Sequence, residues 1–244
     1  MAKLYLGTRE ITPTILRFRY GASVETFLGN VNANGVLQVP SQQIDLSFDG
    51  VTDVASSVLY RRFYDTDTIK TVNFPDAVTI SGYYAMYEAF RDSSNITTLN
   101  FPKLTTISGT TAFQFAFTSN ASLTIVNFPE LTTISGDHSC HYMFYSCQAL
   151  QTLTFPKLSS ITGDTCLGSL CYNSRGMQNI YFPALTSNSF GSYTNQFNSM
   201  LSGVTGCTVH FPSNLQSVIG SWTSVTAGFG GTNTSVLFDL TATT

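Results

Sequence analysis

Charge is scarce in this chain: 11 basic and 14 acidic residues make up 10% of its 244 positions, against roughly a quarter in an ordinary globular protein. From Thr98 onward only Lys103, Lys157 and Arg175 are basic and only Glu130, Asp137, Asp164 and Asp239 are acidic. Water must therefore be met there by Ser, Thr and Asn. A net charge of −3 without a basic cluster offers no footprint for phosphate backbones, which excludes nucleic acid as a partner. No apolar run approaches the about 20 residues that cross a bilayer, which argues against membrane insertion. The opening "MAKLYLGTRE" alternates apolar and polar residues and lacks the apolar region of a signal peptide. Cysteine is few and odd in number. All five lie between Cys140 and Cys207 without matched spacing, so they read as small buried apolar residues with free thiols.

Catalytic signatures are missing as well. There is no G-x-S-x-G elbow for a serine nucleophile, and the acids within the repeats are too sparse to nominate a glycosidase pair. "GFGGTN", Gly228 to Asn233, lacks the lysine of a phosphate-binding loop and reads as a final turn. No catalytic residue and no cofactor follow from the sequence, and the expectation is a protein that is not an enzyme.

What the chain does have is a repeat. Phe-Pro occurs at Phe74, Phe101, Phe128, Phe155, Phe182 and Phe211, at steps of 27, 27, 27, 27 and 29 residues. Phe48 and Phe238 extend the series without proline. "TVNFPDAVTISG", "TLNFPKLTTISG", "IVNFPELTTISG" and "TLTFPKLSSITG" share an apolar residue two before Phe, Ile six after it and Gly eight after it. Alternation predicts a short strand with Val72 and Phe74, Leu99 and Phe101, Val126 and Phe128 on one face. Proline ends that strand because it cannot donate to a ladder, and the later glycine suits a turn with positive φ. Ala85, Met86 and Phe90, Phe113 and Phe117, and Met143, Phe144 and Cys147 stand three or four apart in several cases, which predicts a helical or 3₁₀ turn on the return. One unit cannot bury its own apolar face. Burial of each Phe contributes about 1.5–3 kcal/mol, and only stacked units collect it.

Phe144, Cys147, Leu150, Leu153, Phe155, Pro156, Leu158 and Ile161 spell F-x-x-C-x-x-L-x-x-L-x-F-P-x-L-x-x-I. This resembles the BspA-like, or Treponema-type, leucine-rich repeat, with a longer pitch and Phe-Pro in place of Leu-Pro. The resemblance implies an α/β solenoid over residues 45–240, a right-handed stack of about seven to eight rungs with a parallel sheet on one face. Residues 1–44 are expected to form a β cap or attachment segment, with a strand in "ITPTILRFRY" and a hairpin turning at Asn34 and Gly35, and residues 241–244 a tail. The opening "KLYLGTREITPTI" resembles the start of phage and prophage tail-associated proteins.

Two groups of residues are candidate sites. "SGDHSCHYMFYSC" gathers His138, Cys140, His141 and Cys147, the ligand types of zinc. Cys147 occupies the repeat's Cys slot, shared with Ser93 and Asn120, and faces the core, while His138, Cys140 and His141 read as loop substitutions without the separated ligand pairs of a zinc frame. Metal is therefore not expected. The second group is a surface. If the apolar strand residues point inward, Ser47, Asn73, Asn100, Asn127, Thr154, Tyr181 and His210 point outward, one per rung. At ~4.8 Å per rung they form an uncharged column about 30 Å long. It is either a hydrogen-bonded ladder or a binding face for protein or cell-surface glycan, with Tyr181 and His210 as leading contacts. Tyr83, Tyr84, Tyr87, Tyr142, Tyr145, Tyr172, Tyr193 and Trp222 cluster on the return segments, divided between core and flank in a way the sequence leaves open. The expected function is a non-catalytic binding or assembly scaffold. The first expectation is a virion protein, tail-associated or host-recognising, and the alternatives are a bacterial cell-surface adhesin or a glycan-active hydrolase on a repeat scaffold. The expected location is the virion or an extracellular surface, with homo-oligomer or virion assembly possible.

Overall fold

In the computed structural model, which describes residues 4–6, 9–11, 15–17, 43–55, 57–192, 195–219 and 228–241, five of the six Phe-Pro steps directly follow the last residue of a strand, and at the sixth the strand runs on through Phe211 and Pro212. In chain order the strands are β1 (Leu4–Leu6), β2 (Arg9–Ile11), β3 (Ile15–Arg17), β4 (Ile44–Ser47), β5 (Ile69–Asn73), β6 (Thr79–Ile80), β7 (Thr98–Asn100), β8 (Thr106–Ile107), β9 (Ile125–Asn127), β10 (Thr133–Ile134), β11 (Thr152–Thr154), β12 (Ser160–Ile161), β13 (Asn179–Tyr181), β14 (Thr208–Pro212) and β15 (Ser235–Leu240). The chain winds as a solenoid. One face carries two parallel sheets, β3-β4-β5-β7-β9 and β11-β13-β14-β15, and a second face carries the parallel sheet β6-β8-β10-β12. β3 pairs in parallel with β4, so the strand face extends into residues 1–44, whose first two strands pair antiparallel. The hairpin expected at Asn34 and Gly35 lies outside the described residues.

The rings anticipated from the repeat form a spine. Phe48, Phe74, Phe101, Phe128, Phe155, Phe182 and Phe211 stack in succession, with centroids 4.1, 4.8, 5.3, 6.2, 5.3 and 5.4 Å apart. Such pairs contribute about 0.5–1.5 kcal/mol each beyond the area they bury. A second spine comes from the return segments: Phe63, Phe90, Phe117 and Phe144 stack at 5.0, 5.3 and 6.2 Å.

The return segments are not helical. A helix would direct its N–H groups along its own axis, whereas here alternate N–H groups point to the next rung. Tyr84, Met86 and Glu88 donate to the carbonyls of Thr110, Ala112 and Gln114, while Ala85, Tyr87 and Ala89 donate back to Gly82, Tyr84 and Met86. This ladder of turns requires a left-handed residue every fourth position: Tyr84, Glu88 and Asp92, then Thr111, Phe115 and Ser119, then His138, Tyr142 and Ser146. Left-handed backbone costs a non-glycine residue about 1–2 kcal/mol, and the inter-rung bonds offset it. That hydrogen bonding between rungs overrides the three-and-four spacing that predicted a helical turn.

The recurrent glycine also serves a different purpose from the one expected. Gly109, Gly136 and Gly163 do not have positive φ. A Cβ on each would lie 2.2, 2.3 and 2.4 Å from the carbonyl oxygen of the glycine one rung earlier. The rungs approach so closely there that no side chain fits.

Candidate functional site

The zinc-like cluster is dispersed by the fold. Cys140 falls at the register position of Phe113 and Met86 and is buried with them; it is a core residue, not a loop substitution. Cys147 is also buried, and its thiol donates to the Phe117 carbonyl at 3.1 Å. Burial pushes both thiols up to about 12, and Cys207 likewise to about 12. All five cysteines are free and buried. They are neutral thiols, poor as nucleophiles or metal ligands in this packing. His138 and His141 lie on the turn face with ring centroids 5.4 Å apart. Burial, then the neighbouring His138, pulls the His141 imidazole down to about 4. Among the described residues no group of three or more His, Cys, Asp or Glu side chains could hold a metal ion.

The outward column is interrupted. Asn73 donates to Ser47 Oγ at 3.3 Å and Asn100 donates to Asn73 Oδ1 at 3.0 Å, a short amide ladder. Further along, β9 and β11 are unpaired, which separates Asn127 from Thr154. At the far end Tyr181 stacks on His210 at 4.3 Å. His210 is buried, with Nδ1 2.9 Å from Asp239 Oδ2 and Nε2 3.2 Å from Asn179 Oδ1. A ring with both nitrogens partnered and one face covered is poorly placed as a leading contact. Ser47 is buried as well.

A second surface emerges on the turn face. Tyr60 stacks on Tyr87 at 5.2 Å, Tyr87 meets Phe115 edge-on at 6.0 Å, Phe115 stacks on Tyr142 at 4.9 Å, and Tyr142 lies 5.8 Å from Tyr172. Tyr83 and Tyr84, 4.0 Å apart, widen one end. These rings occupy successive rungs and form a ridge about 20 Å long at ~4.8 Å per rung. They are half-buried on average, and Tyr83 and Tyr60 are 56% and 40% exposed. Beside the ridge, Glu88 bridges Arg61 at 3.1 Å and Arg91 at 2.9 Å. The sequence supplied the tyrosines but not their sorting. The four-residue turn period, which turns Tyr60, Tyr87, Phe115 and Tyr142 outward, was the missing signal. Tyr193 and Trp222 lie outside the described residues.

The family model described as "BspA type Leucine rich repeat region" matches in six copies, over residues 50–166 and 114–222. Among solved structures, the chain is similar to a leucine-rich repeat protein of T. pallidum at 18% identity, with a TM-score of 0.43, over 79% of this chain and 87% of that one. No curated protein matches.

Proposed function

This chain belongs to the BspA-type leucine-rich repeat family, and from that premise we propose that it is a non-catalytic, adhesin-like scaffold that binds another protein at an extracellular surface. Leucine-rich repeats generally act as binding scaffolds, since a stack of rungs presents one long surface to a partner. The family match spans residues 50–222 and favours the adhesin reading over the virion reading. The observation that carries the proposal is the aromatic ridge. Contiguous half-exposed rings are what a partner protein buries at the centre of an interface, and large exposed aromatic patches are uncommon on monomers without one.

The test is binding of the purified chain to intact cells and to immobilised extracellular proteins, measured beside the double variant Tyr60→Ser with Tyr83→Ser. Both side chains are exposed, so the variant is expected to keep its unfolding midpoint and to lose at least tenfold in affinity. Equal binding by the two proteins overturns the ridge as the contact surface. Turnover of any glycan by the wild-type chain overturns the non-catalytic reading.

A further inference from the structure

Among the described residues the strand face is split between β9 and β11. Between β7 and β9 the residues pair Thr98 with Ile125, Leu99 with Val126 and Asn100 with Asn127, Ile125 N–H donates to Thr97, and Phe101 N–H donates to Asn127. In that register Val126 and Phe128 turn their backbone groups toward the next rung. The bonds of β11 to β13 likewise leave Thr152 and Thr154 facing back. No backbone hydrogen bond joins the two edges, although the rungs stay bonded on the other faces through β10 and β12, and through Cys140 N–H to Cys166. Phe128 and Phe155 remain buried beneath the split.

Three features make this crease a built groove of about 320 Å³, at the lower end of small-molecule sites. Its edges carry unpaired N–H donors and C=O acceptors, groups that elsewhere in a sheet are satisfied. Its lip carries Ile125, 48% exposed, at a position occupied by Thr71, Thr98, Thr152 and Thr208 in other rungs. None of its lining residues is charged.

We propose that the crease between Ile125–Asn127 and Thr152–Thr154 is a binding site for a neutral glycan. Hydroxyl groups both donate and accept, so a sugar lying across the mouth of the crease can direct a hydroxyl to either edge, while Ile125 offers an apolar surface to its C–H face. The uncharged lining favours a neutral sugar over an anionic one. An inserted peptide strand fits less well: it would hold the edges ~9.6 Å apart, two strand spacings. The rings of Phe128 and Phe155 beneath are 6.2 Å apart, against 5.3 Å for the steps on either side. The site is separate from the aromatic ridge and does not depend on it.

The test uses the whole chain, NMR and neutral trisaccharides of glucose, galactose and N-acetylglucosamine. At least one is expected to shift the amide resonances of residues 124–128 and 152–154, and Ile125→Thr and Asn127→Ala are each expected to weaken that binding at least fivefold with the fold retained. Tyr60→Ser with Tyr83→Ser is expected to leave it unchanged, which separates this site from the ridge. Amide exchange checks the crease directly: Val126, Phe128, Thr152 and Thr154 should exchange at least a hundredfold faster than Leu99 and Phe155. Equal protection of those amides, no shift with any trisaccharide at about 50 mM (a concentration at which a Kd is worth only about 2 kcal/mol), binding indifferent to both variants, or capture of an extended peptide in the crease overturns the proposal.

Discussion

The Cys147 thiol donates to the carbonyl oxygen of Phe117, 3.1 Å away and 30 residues earlier in the chain. The same reach recurs on neighbouring rungs: Ser93 to Phe63 at 2.8 Å, Asn120 to Phe90 at 3.1 Å and Ser174 to Phe144 at 2.5 Å. The slot that carries cysteine in the repeat pattern is therefore a buried donor position, and Ser, Asn and Cys are interchangeable there because each supplies one short donor. The serines do more. Ser174 Oγ also accepts from Cys147 N–H at 2.9 Å, so this buried side chain satisfies two backbone groups. Ser174→Ala strands both and is expected to cost about 2–3 kcal/mol. Cys147→Ser keeps the donor and is expected to stay within about 1 kcal/mol of the parent. Urea unfolding followed by circular dichroism gives both numbers, and equal midpoints for the two variants would contradict the donor role.

The glycine column gives a second prediction. Gly136→Ala would place its Cβ 2.3 Å from the Gly109 oxygen and 2.6 Å from the Gly109 carbonyl carbon, backbone atoms that cannot rotate away. The rungs must part to admit it, and a loss of about 2–3 kcal/mol is expected. Gly206→Ala provides the contrast. That residue has φ of +75° and a Cβ there would meet nothing within 4 Å, so only the left-handed strain of about 1–2 kcal/mol applies. Replacing each glycine by Asn, which tolerates left-handed backbone, distinguishes the two causes: Gly206→Asn should recover most of its loss and Gly136→Asn none.

These positions also mark how far sequence reasoning reaches. The phenylalanine spine, the proline strand ends and the inward Cys147 followed from period and alternation, because an apolar ring at a 27-residue pitch has one place to go. The second spine of Phe63, Phe90, Phe117 and Phe144 was hidden, since turns with a left-handed residue every fourth position imitate helical spacing. Glycine at a fixed offset signalled a backbone requirement, but residue type alone does not separate positive φ from the close approach of the next rung. The split between β9 and β11 left one trace in the sequence, Ile125 at a position of threonines. A single apolar substitution in a polar column does not by itself announce an unpaired edge.

His141 makes stability depend on pH. Burial, and then the positive charge His138 would carry, pulls its imidazole to about 4 from an ordinary 6.5. Its ring also lies 4.2 Å from that of Tyr142, and its Nδ1 is 3.4 Å from Gln114 Nε2. Between pH 6.5 and 4 the unfolded chain takes up this proton and the folded chain resists it. Unfolding is therefore favoured as pH falls, and the stability lost from this group begins near pH 6.5 and is complete near pH 4. The ring is partly open to solvent, which screens the effect, so the loss is expected to be on the order of 1–2 kcal/mol. Carboxylates titrate at the lower end of that window and must be separated out. His141→Gln does so, since Gln114 occupies the same register position one rung earlier and shows that the site accepts the side chain. Urea midpoints measured at pH 7.5, 6.0 and 5.0 should fall for the parent and fall less for His141→Gln, the two curves diverging below pH 6.5. Parallel curves would show that the imidazole is hydrated in the folded state and that its burial among Gln114, His138 and Tyr142 is looser than the packing requires.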